Sequence, residues 1–538
     1  MNAHADGTET CFDERVRQNQ QRQLANLKST YDFIVCGSGS SGSVVARRLA
    51  ENPLVSVLLL EAGGADDHPA VRDAARWTEN LGSDRDWGFA TRPNPHLNGR
   101  ALTWSMGKVL GGGSSINVMV WSRGHKNDWD GFATETGDAR WSYESILDIY
   151  RRIEDWQGVP DPRRRGMGGL VFTQTAQSPI AVAMLEAAGS VGIPAFADQN
   201  GIMMEGVGGA ALANFRIRDG KRLSIFRTYV RPHMDRPNLT VMTGALMTKI
   251  MLDGKRAAGV EVSLAGGRPR RFDVGHELIL SLGAIHTPKV LMRSGIGDAA
   301  QLRSFNIDVA QHLPGVGKNL QEHLLLAGCV WEYARPEQLS GCGAAATFFW
   351  KSDERLETPD LQSFLVEGAF LSPKLQHGNQ AEACWSITPG VVRPHSRGEI
   401  RLTGANPSDP VDIDTGILSD PADLKAAMAC VRLCREIGNA RAFDSLRKGE
   451  IVPGNLRGAA LENFVRNATV PFWHFSCTAK MGRDEMSVVD AELCVHGIER
   501  LRIADASVMP QIVTGNTMAP CVIIGERAAA LIRDRHGL

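Results

Sequence analysis

The chain has 538 residues, 43% of them hydrophobic and 22% charged, a composition typical of a globular protein that is too long for one ordinary hydrophobic core. Lys and Arg number 59 and Asp and Glu 60, so the formal net charge of -1 excludes general electrostatic recruitment to nucleic acid or to an anionic membrane. No apolar run reaches the roughly 18 to 20 residues of a membrane span. The ten cysteines are scattered without a Cys-x-x-Cys pair, which indicates no metal site and favours a reducing compartment. We expect a cytoplasmic protein of two closely packed domains.

The first predicted strand, residues 32–36, follows a flexible arm of residues 1–29 and leads into the turn Gly37-Ser-Gly39-Ser-Ser-Gly42 and a helix. In such a turn the first glycine permits the bend, the second lets the backbone approach a pyrophosphate, and the third lets helix and strand pack closely. A second strand, residues 55–60, ends at Glu61, whose carboxylate can accept hydrogen bonds from the ribose of adenosine. The pattern predicts a dinucleotide site and disfavours NADP, because the extra phosphate of NADP would meet this carboxylate.

A second glycine-rich segment lies between two apolar stretches, residues 101–104 and 118–121. It reads Met106-Gly-Lys-Val-Leu-Gly-Gly-Gly-Ser-Ser-Ile-Asn117. A flexible linker is not expected between apolar stretches, whereas a loop that is pressed against a flat ring or a phosphate requires small residues. We therefore predict that this loop contacts a cofactor.

Several motifs, in order along the chain, resemble those of the glucose-methanol-choline (GMC) family of flavoprotein oxidoreductases. Besides the two glycine-rich segments they are Gly283-Ala-Ile-His-Thr-Pro288, Ser294-Gly-Ile-Gly297, Leu313-Pro-Gly-Val-Gly-Lys-Asn-Leu-Gln-Glu-His323, and a C-terminal histidine and asparagine, His474 and Asn516. The resemblance spans roughly residues 30–535. It implies an α/β fold in which a Rossmann-like FAD-binding domain is joined to a substrate-binding domain of the α+β type, built on an antiparallel sheet.

The resemblance also implies FAD as the cofactor and oxidation of an alcohol as the reaction. The residues that it assigns to FAD are Gly37, Gly39, Ser40, Ser41, Gly42, Glu61, Ala62, Val109, Gly112, Gly113, Asn117, Met119, Met247, Asp505, Ala506, Asn516, Thr517 and Met518. Some relatives carry a histidine in the glycine-rich loop that bonds covalently to the flavin, and the matching position here is Ile116. Because isoleucine has no nucleophilic nitrogen, we expect FAD to be bound non-covalently. We also expect no metal site.

His474, in Val470-Pro-Phe-Trp-His-Phe-Ser476, matches the family segment that carries the active-site base. Removal of a hydride from an alcohol carbon to flavin N5 is easier when the hydroxyl proton is taken by a group such as imidazole, whose pKa lies near neutrality. Asn516 matches the second polar residue of the family's His-Asn or His-His pair and would orient the alcohol oxygen and stabilise the developing alkoxide. A helix is predicted over residues 519–532, and its positive N-terminal end would favour negative charge at N1 of the reduced ring.

The residues between the cofactor segments match the family only loosely and are predicted to build the substrate-binding sheet and its cap. Alternation of residue types predicts strands near residues 344–350, 361–370 and 384–389. One wall of the substrate pocket would then carry five side chains, Phe364, Glu367, Trp385, Phe472 and Trp473.

The class of alcohol stays open at this point. Aromatic or heteroaromatic primary alcohols of the pyridoxine or furfuryl alcohol type suit an aromatic pocket. Sorbose-like sugars and polyols fit nearly as well, since the segment Met481-Gly-Arg-Asp-Glu-Met-Ser-Val-Val-Asp490 resembles enzymes that act on them. Choline ranks third, because a quaternary ammonium requires an aromatic cage and a carboxylate, and Glu367 is the only suggestive acid. The electron acceptor, oxygen or another oxidant, is not readable from the sequence.

Two other functions fit parts of the sequence. An NAD-linked dehydrogenase would share the first glycine turn but would not require the second glycine-rich loop. A flavin-binding protein that has lost catalysis would not require the pair His474 and Asn516. The predicted FAD-binding domain is discontinuous, with residues 30–155, 205–325 and 480–538, and the predicted substrate-binding domain comprises residues 156–204 and 326–479.

Overall fold

Two large β-sheets, each assembled from strands far apart in sequence, organise the residues that the computed structural model describes, which are 3–175, 177–264, 267–335, 341–376 and 383–538. The first sheet has seven strands. In spatial order they are Leu239–Met242, Val57–Leu60, Thr30–Cys36, Arg270–Leu280, Arg256–Leu264 and Ala245–Asp253, with Leu501–Ile503 beside Arg270–Leu280. The pairs around Thr30–Cys36 are parallel, and its residues 33–36 are all buried, as expected for a strand with both faces covered.

The second sheet has eight strands, and every pair in it is antiparallel. In spatial order they are Arg447–Val452, Val330–Tyr333, Cys384–Val391, Leu361–Val366, Ala344–Trp350 and Gly209–Leu212, with Leu324–Leu326 beside Cys384–Val391 and Thr469–Pro471 beside Leu324–Leu326. The predicted fold class, a Rossmann-like domain joined to a domain on an antiparallel sheet, is confirmed. The strand Gly209–Leu212 lies inside the predicted 205–325 segment of the FAD-binding domain, yet it pairs with this second sheet. The other domain boundaries stay predictions.

Helices and small sheets cover these two sheets. The helices are Ala3–Ala25, Ser40–Ala50, Pro69–Arg72, Lys126–Thr136, Tyr143–Ile153, Pro179–Ser190, Ile225–Tyr229, Gly283–Arg293, Ala299–Ser304, Pro421–Gly438, Gly458–Ala468 and Met518–His536. The small sheets pair Phe89–Ala90 with Thr103–Trp104, Ile217–Arg218 with Lys221–Arg222, Ile296–Gly297 with Gln311–His312, and Glu399–Leu402 with Val411–Asp414, and one joins Glu154–Trp156, Val171–Thr175 and Asn214–Phe215. Among the helices described, none is both long enough and apolar enough to cross a membrane.

Close packing of two helices brings the two ends of the chain together. Helix Met518–His536 crosses helix Ser40–Ala50, the helix that follows the first glycine turn. At the crossing, a Cβ atom on Gly525 would lie 2.7 Å from the carbonyl oxygen of Ser41. Only a glycine permits this approach, and it places the start of the C-terminal helix beside the glycine turn.

The N-terminal arm, predicted to be flexible, forms helix Ala3–Ala25, which lies against the edge of the first sheet. Gln20 donates from Nε2 to the carbonyl of Leu239 at 3.0 Å and accepts at Oε1 from the N–H of Val241 at 3.0 Å. Because Leu239–Met242 is the edge strand, this side-chain amide satisfies backbone groups that a further strand would otherwise pair. The helix therefore covers an open sheet edge.

Candidate active site

The turn after strand Thr30–Cys36 uses its three glycines in two ways. A Cβ atom on Gly37 would lie 2.2 Å from the carbonyl oxygen of Ser281, and one on Gly42 would lie 1.9 Å from the carbonyl oxygen of Gly37. Gly37 also has a φ of 99°, which favours glycine. Within the described part of the chain, a Cβ on Gly39 would meet no atom within 4 Å. Packing of the protein itself therefore requires Gly37 and Gly42, whereas Gly39 faces open space.

The space beside Gly39 belongs to a cavity that the glycine turn, the glycine-rich loop and the C-terminal segments line together. Helix Ser40–Ala50 begins at the wall of this cavity, and its N-cap, Gly39, provides no side-chain acceptor for the first-turn amides. The positive helix end therefore favours an anionic group such as a pyrophosphate. The predicted cofactor residues that line the cavity are Gly37, Gly39, Ser40, Ser41, Glu61, Ala62, Gly112, Gly113, Asn117, Met119, Met247, Asp505, Ala506, Asn516, Thr517 and Met518.

Glu61 lines the cavity at the end of strand Val57–Leu60 and is buried. Its Oε2 accepts hydrogen bonds from the N–H of Ser38 at 3.1 Å and from Ser38 Oγ at 2.6 Å, and its Oε1 accepts from the N–H of Gly63 at 2.8 Å. Burial raises the pKa of the Glu61 carboxyl, and these hydrogen bonds act in the opposite direction. Glu61 thus holds the glycine turn against the second strand, a role additional to its predicted contact with a ribose.

The glycine-rich loop packs directly on the first glycine turn. Gly112 has a φ of 53°, and a Cβ on it would lie 2.9 Å from Gly39 Cα. A Cβ on Gly113 would meet no atom of the residues described here within 4 Å, so Gly113 faces the cavity as Gly39 does. Val109, which the family resemblance assigned to the cofactor, is not part of the lining. It is fully buried and forms a β-bridge with Gly64, so its side chain packs behind the loop.

His474 lines the same cavity, on the segment after strand Thr469–Pro471. Its ring stacks on Phe472 with 4.6 Å between the centroids. Its Nδ1 lies 2.9 Å from Nδ1 of His323, and its Nε2 lies 3.3 Å from Nδ2 of Asn516. Burial lowers the pKa of His474 to about 3, because a low-dielectric site disfavours the charged ring. The imidazole is therefore neutral at neutral pH and keeps one nitrogen lone pair for a proton.

The buried carboxyl group of Glu322 fixes the backbone of His474. Both oxygens of Glu322 accept a hydrogen bond from the N–H of His474, each at 3.0 Å, and the neighbouring Trp473 has a φ of 62°, in the left-handed region. Burial raises the pKa of Glu322 well above its ordinary value, and hydrogen bonds from backbone N–H groups, including those of His474 and Phe472, oppose that shift. Two adjacent residues, Glu322 and His323, thus support the backbone and the ring of His474. Both residues end the motif that begins at Leu313, from which the sequence predicted the family resemblance but no role for either side chain.

Asn516 reaches the cavity from the turn before helix Met518–His536. Asp128 holds this turn in place: its Oδ2 accepts from the N–H of Thr514 at 2.6 Å and its Oδ1 accepts from Thr514 Oγ1 at 3.0 Å. The side chains of Asn516 and His474 are neighbours in the cavity wall, with Nδ2 of Asn516 beside Nε2 of His474. The structure therefore brings together the two residues that the sequence assigned to catalysis.

Three of the five predicted pocket residues, Phe364, Phe472 and Trp473, line the cavity. Val366 lines it as well, but the next residue, Glu367, lies outside the lining, because neighbouring side chains of an extended chain point in opposite directions. The prediction that Glu367 is a pocket acid is therefore corrected. Further apolar residues of the lining are Trp77, Leu81, Val118, Val120, Leu325, Ala344 and Phe370.

Trp385 is also corrected, since it lies in the core behind the cavity wall. It is fully buried on strand Cys384–Val391 and stacks between Trp331 and Phe443, at ring-centroid distances of 4.7 and 4.6 Å. Thr388 of the same strand lines the cavity. Because side chains alternate between the two faces of a strand, a residue three positions from Thr388 points to the opposite face.

The chain matches known proteins over most of its length. Two family models, both described as GMC oxidoreductase, match residues 31–325 and 394–525. An uncharacterized GMC-type oxidoreductase of Mycobacterium tuberculosis is 38% identical over 537 residues, covering 94% of this chain and 99% of that protein. An oxygen-dependent choline dehydrogenase of Escherichia coli is 37% identical over 546 residues, with coverages of 94% and 96%. The crystal structure of pyridoxine 4-oxidase from Mesorbium loti superposes with a TM-score of 0.89 at 29% identity, covering 94% of this chain and 99% of that one.

Proposed function

Because the chain belongs to the GMC oxidoreductase family, whose members bind FAD and act on CH–OH groups, we propose that it oxidises an aromatic or heteroaromatic primary alcohol to the aldehyde. The observation that carries the proposal is the pair His474 and Asn516, with Nε2 and Nδ2 3.3 Å apart at the wall of a cavity whose nearby lining is apolar. A neutral imidazole beside an amide donor is suited to deprotonating a hydroxyl group.

The residues of the cavity fit FAD on their own geometry. Gly39 and Gly113 leave open space where any other residue would place a Cβ, and the N-terminus of helix Ser40–Ala50 faces that space. These groups would hold the pyrophosphate and the flat ring, and Glu61 would hold the ribose. FAD, when bound, supplies the acceptor for the hydride that leaves the alcohol carbon.

The protein's own residues supply the proton chemistry. His474 Nε2 accepts the hydroxyl proton of the alcohol, and the amide of Asn516 donates a hydrogen bond to the oxygen that becomes negatively charged. His323 and Glu322 keep the ring and the backbone of His474 in place. The apolar lining excludes water, which strengthens each of these interactions.

The lining favours an aromatic alcohol over the alternatives. Among the described residues that line the cavity, the only carboxylates are Glu61 and Asp505, and both are hydrogen-bonded to backbone amides of the cofactor segments. A quaternary ammonium such as choline would therefore enter an apolar site without a counter-ion, and a polyol would bury hydroxyl groups without partners. Phe364, Phe472 and Trp473 offer an aromatic ring favourable contacts. The likeness to pyridoxine 4-oxidase supports the same choice.

A screen of alcohols under anaerobic conditions tests this proposal. We expect pyridinemethanol and benzyl alcohol to bleach the flavin with a second-order rate constant about 100-fold above that of choline or sorbose, because only the aromatic alcohols fill the apolar site without burying unpaired polar groups. Choline or sorbose as the fastest substrate would contradict the proposed substrate class. Failure of every alcohol would favour a catalytically inactive flavin-binding protein, and admission of air afterwards shows whether oxygen is the acceptor.

The pH dependence of the reaction follows from the burial of His474. An ordinary histidine would be protonated, and lost as a base, as the pH falls through about 6.5. Burial lowers the pKa of His474 to about 3, so the neutral form persists into acid. We expect kcat/KM to stay level from about pH 8 to about pH 5, since kcat/KM reports the free enzyme. Loss of half the activity near pH 6.5, in protein that retains its FAD, would contradict this assignment.

The flavin should leave the protein when it is denatured. Ile116, at the loop position where some relatives carry the attached histidine, lines the cavity and offers no nucleophile. Precipitation with trichloroacetic acid should therefore leave a yellow supernatant and a colourless pellet. A yellow pellet would show a covalent bond to another side chain.

A further inference from the structure

A chain of hydrogen bonds extends the His474–Asn516 pair on both sides. On one side, Gln362 Nε2 lies 3.2 Å from Asn516 Oδ1, and on the other, His474 Nδ1 lies 2.9 Å from His323 Nδ1. Gln362 and His323 are fully buried, and His474 is 9% exposed. Gln362 has no role in the proposed reaction so far, and the family resemblance did not single it out.

The place of Gln362 on its strand explains how it reaches Asn516. It lies on strand Leu361–Val366, where Phe364 and Val366 line the cavity, so the period of two places Gln362 on the same face. The intervening Ser363 points to the opposite face, where its Oγ contacts the sulfur of Cys434 at 3.2 Å. The second sheet thus contributes the side-chain amide of Gln362, which contacts the pair His474 and Asn516 of the C-terminal segments.

The orientation of the Gln362 amide, whose Nε2 donates to Asn516 Oδ1, sets the direction of this chain. An amide has one oxygen acceptor and one NH2 donor. Because Gln362 donates to Asn516 Oδ1, the NH2 of Asn516 is turned to His474 Nε2, and no other side chain in the described part of the chain donates to that oxygen. A nitrogen that accepts a hydrogen bond carries its lone pair. In the neutral ring with this arrangement the proton would lie on Nδ1, which is 2.9 Å from His323 Nδ1 and would donate to it.

We propose that Gln362 is a positioning residue, whose amide N–H sets the orientation of Asn516 and, through it, the tautomer of His474 in which Nε2 carries the lone pair that takes the alcohol proton. The catalytic meaning of this inference rests on the proposed function. The reversed amide would turn Asn516 Oδ1 to His474 and would require a proton on Nε2. His474 would then have no lone pair on the side where the substrate hydroxyl must lie.

Two substitutions of Gln362 separate orientation from packing. In Gln362→Glu the shape is kept, but an ionised carboxylate only accepts hydrogen bonds, so Asn516 must turn its NH2 to residue 362. In Gln362→Leu the amide is removed altogether. Ser363→Ala is the matched control, because it changes the neighbouring residue on the same strand but on the opposite face.

We expect kcat to fall about 10- to 100-fold in both variants of Gln362, with KM changed less than about threefold, and Ser363→Ala to match the parent protein. In Gln362→Glu, protonation of the new carboxyl restores a donor to Asn516. The ratio of the kcat of Gln362→Glu to the kcat of the parent should therefore rise at least about tenfold when the pH is lowered from 9 to 6. A ratio that does not change with pH, or an equal loss in Ser363→Ala, would overturn the inference.

A readout that does not depend on turnover is the tautomer of His474 in the FAD-loaded protein. Spectra at pH 9 of protein with 15N-labelled histidine, assigned through the His474→Ala variant, should show an unprotonated Nε2 in the parent and a protonated Nε2 in Gln362→Glu. The same tautomer in both proteins would overturn the role of Gln362 even if the parent oxidises alcohols. The expected change of tautomer in a parent that oxidises no alcohol would support the hydrogen-bond chain and refute the proposed function instead.

Discussion

Replacing His474 by alanine should slow the bleaching of bound flavin by alcohol about 10²- to 10⁴-fold, the range that a positioned general base contributes. The reason lies in the two contacts of its ring: Nδ1 is engaged with His323, and Nε2 faces Asn516 and the cavity. Water that fills the space left by the ring is a far weaker base than imidazole and would not replace it efficiently. Stopped-flow absorbance under anaerobic conditions measures the rate directly.

Two controls make the His474→Ala result decisive. The variant must retain FAD, which the flavin absorbance per protein reports, and the exposed His395 replaced by alanine should bleach at the parent rate. Added imidazole should restore part of the rate in His474→Ala, since the missing side chain leaves room for it. Bleaching within a factor of about two of the parent would remove His474 as the base.

Replacing Gly39 by alanine should weaken FAD binding about 100-fold or more while the apoprotein folds normally. A Cβ at this position meets no atom of the described residues within 4 Å, and the backbone there is extended with a φ of -64°, which alanine adopts readily. The added methyl group would instead meet the ligand, whose pyrophosphate must approach the backbone here. Titration of apoprotein with FAD, followed by quenching of flavin fluorescence, measures the loss.

Gly64→Ala is the matched control, because its Cβ also meets nothing within 4 Å and Gly64 is not part of the cavity lining. It should bind FAD like the parent. Normal FAD affinity in Gly39→Ala would show that the cofactor does not approach the glycine turn. By contrast, Gly42→Ala places a Cβ 1.9 Å from the carbonyl oxygen of Gly37 and should impair folding itself.

Local patterns were sufficient for much of the fold. The glycine turn and the strands at its sides were readable because each depends on a few neighbouring residues, and the predicted strand at residues 344–350 has the bounds that the structure gives, Ala344–Trp350. The proximity of His474 and Asn516 came from the family resemblance, because neither residue's local sequence indicates which distant segment it meets.

What the sequence did not reveal depends on register and on long-range contacts. Trp385 and Thr388 lie on one strand, and only the pairing of that strand decides which of them faces the cavity. Glu322 supports His474 across 152 residues of sequence, and Gln362 meets Asn516 across 154. Such contacts produce no periodic pattern in the sequence, so patterns of neighbouring residues could not have predicted them.

The most direct test of the account is a crystal structure of the protein with FAD bound. We expect the isoalloxazine ring in the cavity between the glycine-rich loop and His474, with Nε2 of His474 and the amide of Asn516 turned to the same side of the ring. A ring bound elsewhere, or a His474 side chain that is turned away from it, would contradict the proposed chemistry.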